Sequence, residues 1–248
     1  MKKSFKLFLL ALCAVFACLA FTGCSSPTTT PEPPVTYIGS KTPTETKAVG
    51  DIVFTDGSAS PYTEELTDEQ KAAAIAVIFY VGDENDTLGA KTLGVGLITE
   101  RTNYKGLQWC LSDAVAYDSW DYAKNMDDGK ANTDEIAGLS DYGDGTKYPA
   151  FKFCRDYTAK GFTTNWYLPA YNELKMLNAS LTEVGNALNS LYLENPYPTY
   201  RYFSSTREYT ANQYRNIAMA FYFKDEEYLQ HLTFRKDEYK YVCAIHTF

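Results

Sequence analysis

Histidine is almost missing from this sequence: its 248 residues hold two, His231 and His246. That scarcity argues against a multi-histidine metal or haem site and against a histidine proton relay. Positive charge is also short, with 23 Lys+Arg against 31 Asp+Glu and a net charge of −8. Nucleic-acid binding rests on a basic footprint that neutralises phosphates, so no nucleic-acid partner is expected. No apolar run reaches the ~20 residues that a membrane-spanning helix needs. A serine nucleophile elbow and a zinc-binding His-Glu-x-x-His are both absent. The acidic run Asp225-Glu226-Glu227 reads as a solvated turn rather than an acid/base pair. No catalytic residue, cofactor or resident metal is therefore expected, and the chain is read as a non-enzyme. One residue type is in excess, with 21 tyrosines against 14 phenylalanines. An apolar body with a polar tip suits tyrosine to binding surfaces.

The N-terminus has the parts of an export signal. Lys2, Lys3 and Lys6 precede an apolar run from Leu7 to Phe21, and Thr22-Gly23-Cys24 follow. The ending Leu19-Ala20-Phe21-Thr22-Gly23-Cys24 resembles a bacterial lipobox, which implies cleavage after residue 23 and lipidation of Cys24. Ser25 resembles the sorting pattern of outer-membrane lipoproteins. Cleavage removes three lysines and leaves a still more acidic chain, so the acyl chains rather than surface charge would hold it to a membrane. Residues 24–49 carry five prolines and many threonines. Such a segment buries too little surface to offset its ordering entropy and reads as a tether ahead of a folded domain at 50–248.

Within that domain, Gly50–Phe54 reads as a short strand turned by Asp56-Gly57. Thr67 and Gln70 have capping-box spacing ahead of a short helix. Ile75–Val81 and Leu93–Ile98 are strand-length apolar runs, and Gly94 and Gly96 mark a packing or bulge feature rather than a dinucleotide site. Residues 118–148 read as a long surface loop. Its Asp127-Asp128-Gly129 and Asp141-Tyr142-Gly143-Asp144-Gly145 fit turn chemistry, lacking the alternating oxygen ligands of a calcium loop. Helical spacing covers Phe151–Lys160 with Gly161 as its cap, and a second helix starts near Pro169 and runs through Leu177. After Pro196 and Pro198 come short strands around Tyr202-Phe203, Ile217–Phe223, Leu229–Phe234 and Tyr241–Ile245. Alternation assigns Ile217, Met219, Phe221 and Phe223 to a core face, leaving Ala218, Ala220 and Tyr222 opposite. Helices in the middle and hairpin-like strands at the end make the chain α+β, with no βαβ alternation.

Three stretches carry a resemblance. Asn165-Trp166-Tyr167-Leu168-Pro169-Ala170-Tyr171-Asn172-Glu173-Leu174 resembles the Trp-Arg-Leu-Pro-Thr-x-x-Glu-Leu signature of C-type-lectin-like domains of the formylglycine-generating-enzyme type. Tyr202-Phe203-Ser204-Ser205-Thr206 is similar to that group's Trp-Ser-Ser-Thr element, and Tyr241-Val242-Cys243-Ala244-Ile245 resembles its closing strand. Tyr167 stands where arginine is usual and Phe203 where tryptophan is usual. The resemblance implies short twisted antiparallel strands with two main helices. It also implies a helix-to-last-strand disulfide between Cys154 and Cys243. Closing that loop would stabilise by about 4–5 kcal/mol on the chain-entropy model. The alternative is a pair of buried thiols. The oxidase of this fold group uses a close cysteine pair held to bind copper. Cys110, Cys154 and Cys243 are far apart in sequence, and Cys110 beside Trp109 reads as buried and inert.

Lipobox, acidic domain and tyrosine-rich end together resemble the retroelement-diversified surface lipoproteins known in treponemes. That resemblance implies a candidate variable region at 204–248 and a ligand-facing surface rich in Tyr, Asn, Asp and His. Large contact area at low side-chain entropy cost makes such residues good binders. The expected contact set is Tyr209, Asn212, Gln213, Tyr214, Tyr228, Gln230, His231, Arg235, Asp237 and Tyr239. The expected partner is a protein or glycan at the bacterial outer membrane or cell surface. Calcium-dependent sugar binding is not expected, because neither a Glu-Pro-Asn nor a Trp-Asn-Asp motif is present. A fixed structural envelope lipoprotein is the competing reading, and it expects those tyrosines to be buried or scattered.

Overall fold

A computed structural model of the chain describes residues 35–100, 106–193, 201–208, 214–223 and 231–248. The export signal and Cys24 lie outside the described residues. A compact unit spans Thr36–Phe248. Its main sheet has five antiparallel strands in the order β10-β4-β3-β1-β2. They are β1 (Ile52–Phe54), β2 (Ala59–Ser60), β3 (Ala74–Val81), β4 (Thr92–Glu100) and β10 (Val242–Thr247). β3 is apolar throughout because both of its faces are covered. Ile78 enters one hydrophobic cluster, and Val77 and Phe79 enter the other. The two glycines of β4 are required by close approach. A Cβ on Gly94 would meet the Phe248 ring at 2.5 Å, and one on Gly96 would meet Tyr157 at 2.6 Å. The packing role expected for them holds.

The folded body begins before Gly50, which shortens the expected tether. Side chains of the β1–β2 turn catch the backbone of the preceding segment. Asp56 accepts from the Ile38 amide at 2.9 Å, Ser58 from Gly39 at 2.7 Å and Ser60 from Ser40 at 3.0 Å. Lys41 bridges to Ala59 through the backbone and pairs with the buried Asp51 at 2.6 Å. These long-range bonds stabilise a segment whose composition alone reads as unstructured.

Five helices occur among the described residues, against the two main helices expected. In α1 (Asp68–Ala73) the Thr67–Gln70 capping box forms as its spacing predicts. The expected loop at 118–148 contains α2 (Gly129–Ala137), capped by the Asp128 side chain on the Ala131 amide. Of its buried residues, Gly129, Asn132 and Thr133 are held by hydrogen bonds and only Ile136 joins the apolar core, so hydrophobic periodicity carried little signal. Helix α3 (Pro149–Asp156) starts on a proline and stops at Tyr157, short of Gly161. Gly161 instead turns the Ala159–Phe162 bridge with φ +88°. Helix α4 (Tyr171–Ala179) follows the signature stretch, and α5 (Leu181–Ser190) buries Val184, Ala187 and Leu188 at helical spacing.

The C-terminal strands form a three-stranded antiparallel sheet of β6 (Arg201–Arg207), β7 (Ile217–Tyr222) and β8 (His231–Arg235), in that order. A two-stranded ribbon pairs β5 (Leu107–Gln108) with β9 (Tyr239–Lys240). The expected single core face of β7 is corrected here. Ala218 and Ala220 are as buried as Phe221, because one face packs into each cluster. Small residues on one side let that side lie close to its neighbours, so both faces are dry. The molecule is thus α+β with antiparallel sheets. No described helix is long and apolar enough to cross a membrane.

Candidate ligand-binding face

The recognisable stretches are internal supports. Trp166, Tyr167 and Leu168 are buried, and Tyr167 bridges the backbone of Ile245 in β10. Glu173 is fully buried and accepts from the Ala170 amide at 2.7 Å and the Gly129 amide at 3.1 Å, so one carboxylate organises the starts of α4 and α2. Tyr167 donates its hydroxyl to Glu173 at 3.2 Å. Burial pushes the Glu173 carboxyl up to about 7, against the lowering effect of its amide donors and Lys91. Ser204, Ser205 and Thr206 are buried as well. Ser204 donates to Met219 O at 2.9 Å, Ser205 accepts from Asn132 at 3.0 Å, and Thr206 donates to Asn125 O at 2.8 Å.

The two Asp-Gly runs also serve the backbone. Asp128 caps α2, Asp141 accepts from Tyr148 at 2.8 Å and from the Val115 amide at 2.8 Å, and Asp144 accepts from the Thr146 amide. Among the described residues no three His, Cys, Asp or Glu side chains are grouped to hold a metal ion.

The expected disulfide is not formed. Cys110, Cys154 and Cys243 are all buried thiols, and Cys154 Sγ donates to the carbonyl of Cys243 at 3.3 Å. That hydrogen bond lets α3 lie against β10 with the sulfur satisfied by backbone. Burial pushes the Cys110 thiol up to about 12 and raises the Cys154 and Cys243 thiols too. None has the depressed pKa that a reactive thiolate requires.

Of the expected contact residues, Tyr209, Asn212, Gln213, Tyr228 and Gln230 lie outside the described residues. His231 opens β8, its backbone opposite Phe221. The remaining four sit on the surface or at its edge. Tyr214 is 65% and Tyr239 52% exposed. Arg235 grips Asp237 through two bonds of 3.0 and 2.8 Å. Partial burial pushes the Asp237 carboxyl up, but hydrogen bonds from Arg235 and Tyr117 outweigh it and hold it below the usual carboxylate value. By contrast Tyr202 and Tyr241 are buried, and stacked rings place Tyr202 against Phe223 at 4.6 Å. Both tyrosines belong to the apolar core.

The loop at 111–122 completes the face, and sequence reasoning missed it. The Tyr117 hydroxyl accepts from Arg235 at 2.9 Å and from Asn216 at 3.2 Å, joining the start of β7 to the end of β8. Trp120 is 38% exposed, and the Arg215 guanidinium stands 4.9 Å from its ring centre. A tryptophan in an Asp- and Ser-rich stretch, Asp118-Ser119-Trp120-Asp121, has no apolar periodicity to explain it, and that was the available signal. Beneath the loop, buried Lys236 donates to the carbonyls of Ala116 at 2.5 Å, Tyr117 at 3.2 Å and Ser119 at 3.4 Å. Its ammonium also lies 4.8 Å from the Trp109 ring centre, and burial lowers its pKa to about 8. Nothing in Arg235-Lys236-Asp237 marks the central lysine as internal, since the run reads as a charged turn.

No family model matches the chain, and no curated protein matches it in sequence. Among solved structures it is similar to a fimbrial protein from Bacteroides ovatus, with a TM-score of 0.57 and 18% identity. The match covers 82% of this chain and 49% of that one, so the chain corresponds to about half of that protein's length. At this identity the likeness concerns the fold.

Proposed function

We propose that the protein is a surface lipoprotein of the lectin-like, retroelement-diversified kind. Its C-terminal face binds a macromolecular ligand, a protein or a glycan, and it is anchored through lipidated Cys24 in the bacterial outer membrane. The observation that carries this reading is the exposure of Trp120, Tyr214 and Tyr239, with Arg215 over the Trp120 ring and Tyr117 linking the start of β7 to the Arg235–Asp237 pair. Tryptophan, tyrosine and arginine are the side chains that dominate binding energy at protein interfaces. The face is held in advance by Tyr117 and Lys236, which lowers the ordering cost of binding. The neighbour's description as a fimbrial protein is in keeping with a place at the cell surface. The buried, high-pKa thiols are in keeping with a non-catalytic role rather than copper-dependent oxidation.

The burial of Tyr202 and Tyr241 favours, for those two positions, the reading of a fixed structural lipoprotein. The two readings separate on one experiment. Sequencing the DNA downstream of the gene tests for a near-copy of the codons for 204–248 beside a reverse transcriptase. A copy that differs mainly at adenines, in codons that include Tyr214 and Tyr239, is the expected result. Its absence, together with unchanged adhesion of a Trp120→Ala/Tyr214→Ala/Tyr239→Ala variant to cells or matrix, would overturn the proposal.

A further inference from the structure

An unpaired strand edge invites pairing with another chain, and native sheets close their edges by shortness, bulges or cover. Three edges here follow that pattern. β2 is two residues long and exchanges bonds of 2.8 and 3.0 Å with Lys41. β10 exchanges two bonds of 3.0 Å with Tyr167, and β6 meets Tyr241 through Phe203 and Arg201, also at 3.0 Å. The edge at β8 departs from it. This strand is five residues long and holds neither proline nor lysine. It pairs with β7 from Ile217–Arg235 to Phe221–His231 without a bulge, whereas the β1–β3, β3–β4, β4–β10 and β6–β7 ladders all shift register. Among the described residues no strand lies on its other side.

The register decides which groups point outward. In an antiparallel pair, residues alternate between exchanging backbone bonds with the partner strand and turning those groups away. The Lys236 amide donates to Asn216 O at 2.8 Å, so Lys236, Phe234 and Leu232 point at β7. His231, Thr233 and Arg235 therefore turn their amides and carbonyls outward. Arg235 is closed by its own turn: its carbonyl accepts from the Glu238 amide at 3.0 Å, and its amide donates to Glu238 Oε1 at 3.4 Å. Among the described residues, the backbone groups of His231 and Thr233 are left open, and Thr233 is exposed. A second copy matches this edge. Antiparallel pairing about a twofold axis at Leu232 sets His231 of one copy opposite Thr233 of the other, twice, and every open group finds a partner. It places the two half-buried Leu232 side chains in the close, non-hydrogen-bonded position, where apolar pairs add stability. It also keeps the guanidinium groups apart. Sliding the register toward the turn would set Arg235 against Arg235 and break the Glu238 bonds.

We propose that β8 pairs with β8 of a second copy of this chain, joining the two three-stranded sheets into a single one. The inference is independent of the ligand-binding reading. Oxidation of Leu232→Cys protein with a mild oxidant is expected to cross-link two copies, because the Cβ separation of a non-hydrogen-bonded pair suits a disulfide. Thr233→Cys, placed opposite His231 rather than opposite itself, is the control expected to cross-link far less. Sedimentation of the unmodified chain from dilute to concentrated solution is expected to show a dimer growing with concentration. Thr233→Pro is expected to weaken that dimer by more than about tenfold, since proline removes an outward N–H from each copy and leaves the bonds to β7 in place. A monomer at every concentration, cross-linking of Thr233→Cys as strong as that of Leu232→Cys, or a dimer untouched by Thr233→Pro would overturn the proposal.

Discussion

Glu173 gives the fold an unusual dependence on pH. Its carboxylate is fully buried, and its pKa is raised to about 7 by burial, with the Ala170 and Gly129 amides and Lys91 opposing. A carboxyl whose folded pKa lies above its unfolded value binds more protons folded than unfolded between those two values. Stability from this group is therefore complete below pH ~4.5 and lost as pH rises toward ~7, opposite to the usual surface carboxylate. A gap of that size corresponds to about 3 kcal/mol across the window. Glu173→Gln isolates the effect. Its carbonyl oxygen can accept from the Ala170 and Gly129 amides, which now share one carboxylate oxygen, and its amide can donate to the Tyr167 hydroxyl. The assay is urea unfolding of both proteins at steps from pH 4.5 to 8. The wild-type free energy minus that of the variant should fall by about 3 kcal/mol over the range, whatever the other carboxylates do. A flat difference would refute the reasoning, and so would one that rises with pH.

Four further outcomes are expected. Lys236→Met should lower unfolding free energy by about 2–4 kcal/mol, since it strands buried carbonyls of the 116–119 turn; chemical denaturation measures it. Arg235→Gln should leave stability essentially unchanged, because its pair with Asp237 is largely solvent-screened, yet should reduce ligand adhesion in a surface-binding assay. Adding a reductant should leave the thermal midpoint unchanged, whereas a bridged Cys154–Cys243 would lose about 4–5 kcal/mol. Gly96→Ala should destabilise by about 1–3 kcal/mol as the added methyl meets Tyr157, and combining it with Tyr157→Ala, which removes the clashing ring, should give less than the sum of the two single effects.

Much of the architecture was legible where the local signal and the tertiary context agree. The Thr67–Gln70 box starts α1, and the apolar run Ala74–Val81 is a doubly covered strand. Gly94 and Gly96 mark close packing. Helix α2 was hidden because it is held by Asn132, Thr133 and the Asp128 cap, side chains that also fill loops. Segment 36–49 was hidden because its partners, Asp56, Ser58 and Ser60, become partners only once β1 and β2 have folded back.

By itself the sequence determined the α+β class and most strand positions, because hydrophobic period and capping residues act over a few neighbouring residues. It also contained the exposed tyrosines Tyr214 and Tyr239 and the Arg235–Asp237 run. Only the tertiary structure decided which chemically similar residues face water. Tyr202 and Tyr241 went to the core while Tyr214 and Tyr239 stayed outside, and Lys236 turned inward beside an outward Arg235. It likewise joined Tyr117 and Trp120 to a face about a hundred residues further along the chain. Burial and long-range hydrogen bonding are properties of the packed chain, so no window of neighbouring residues encodes them.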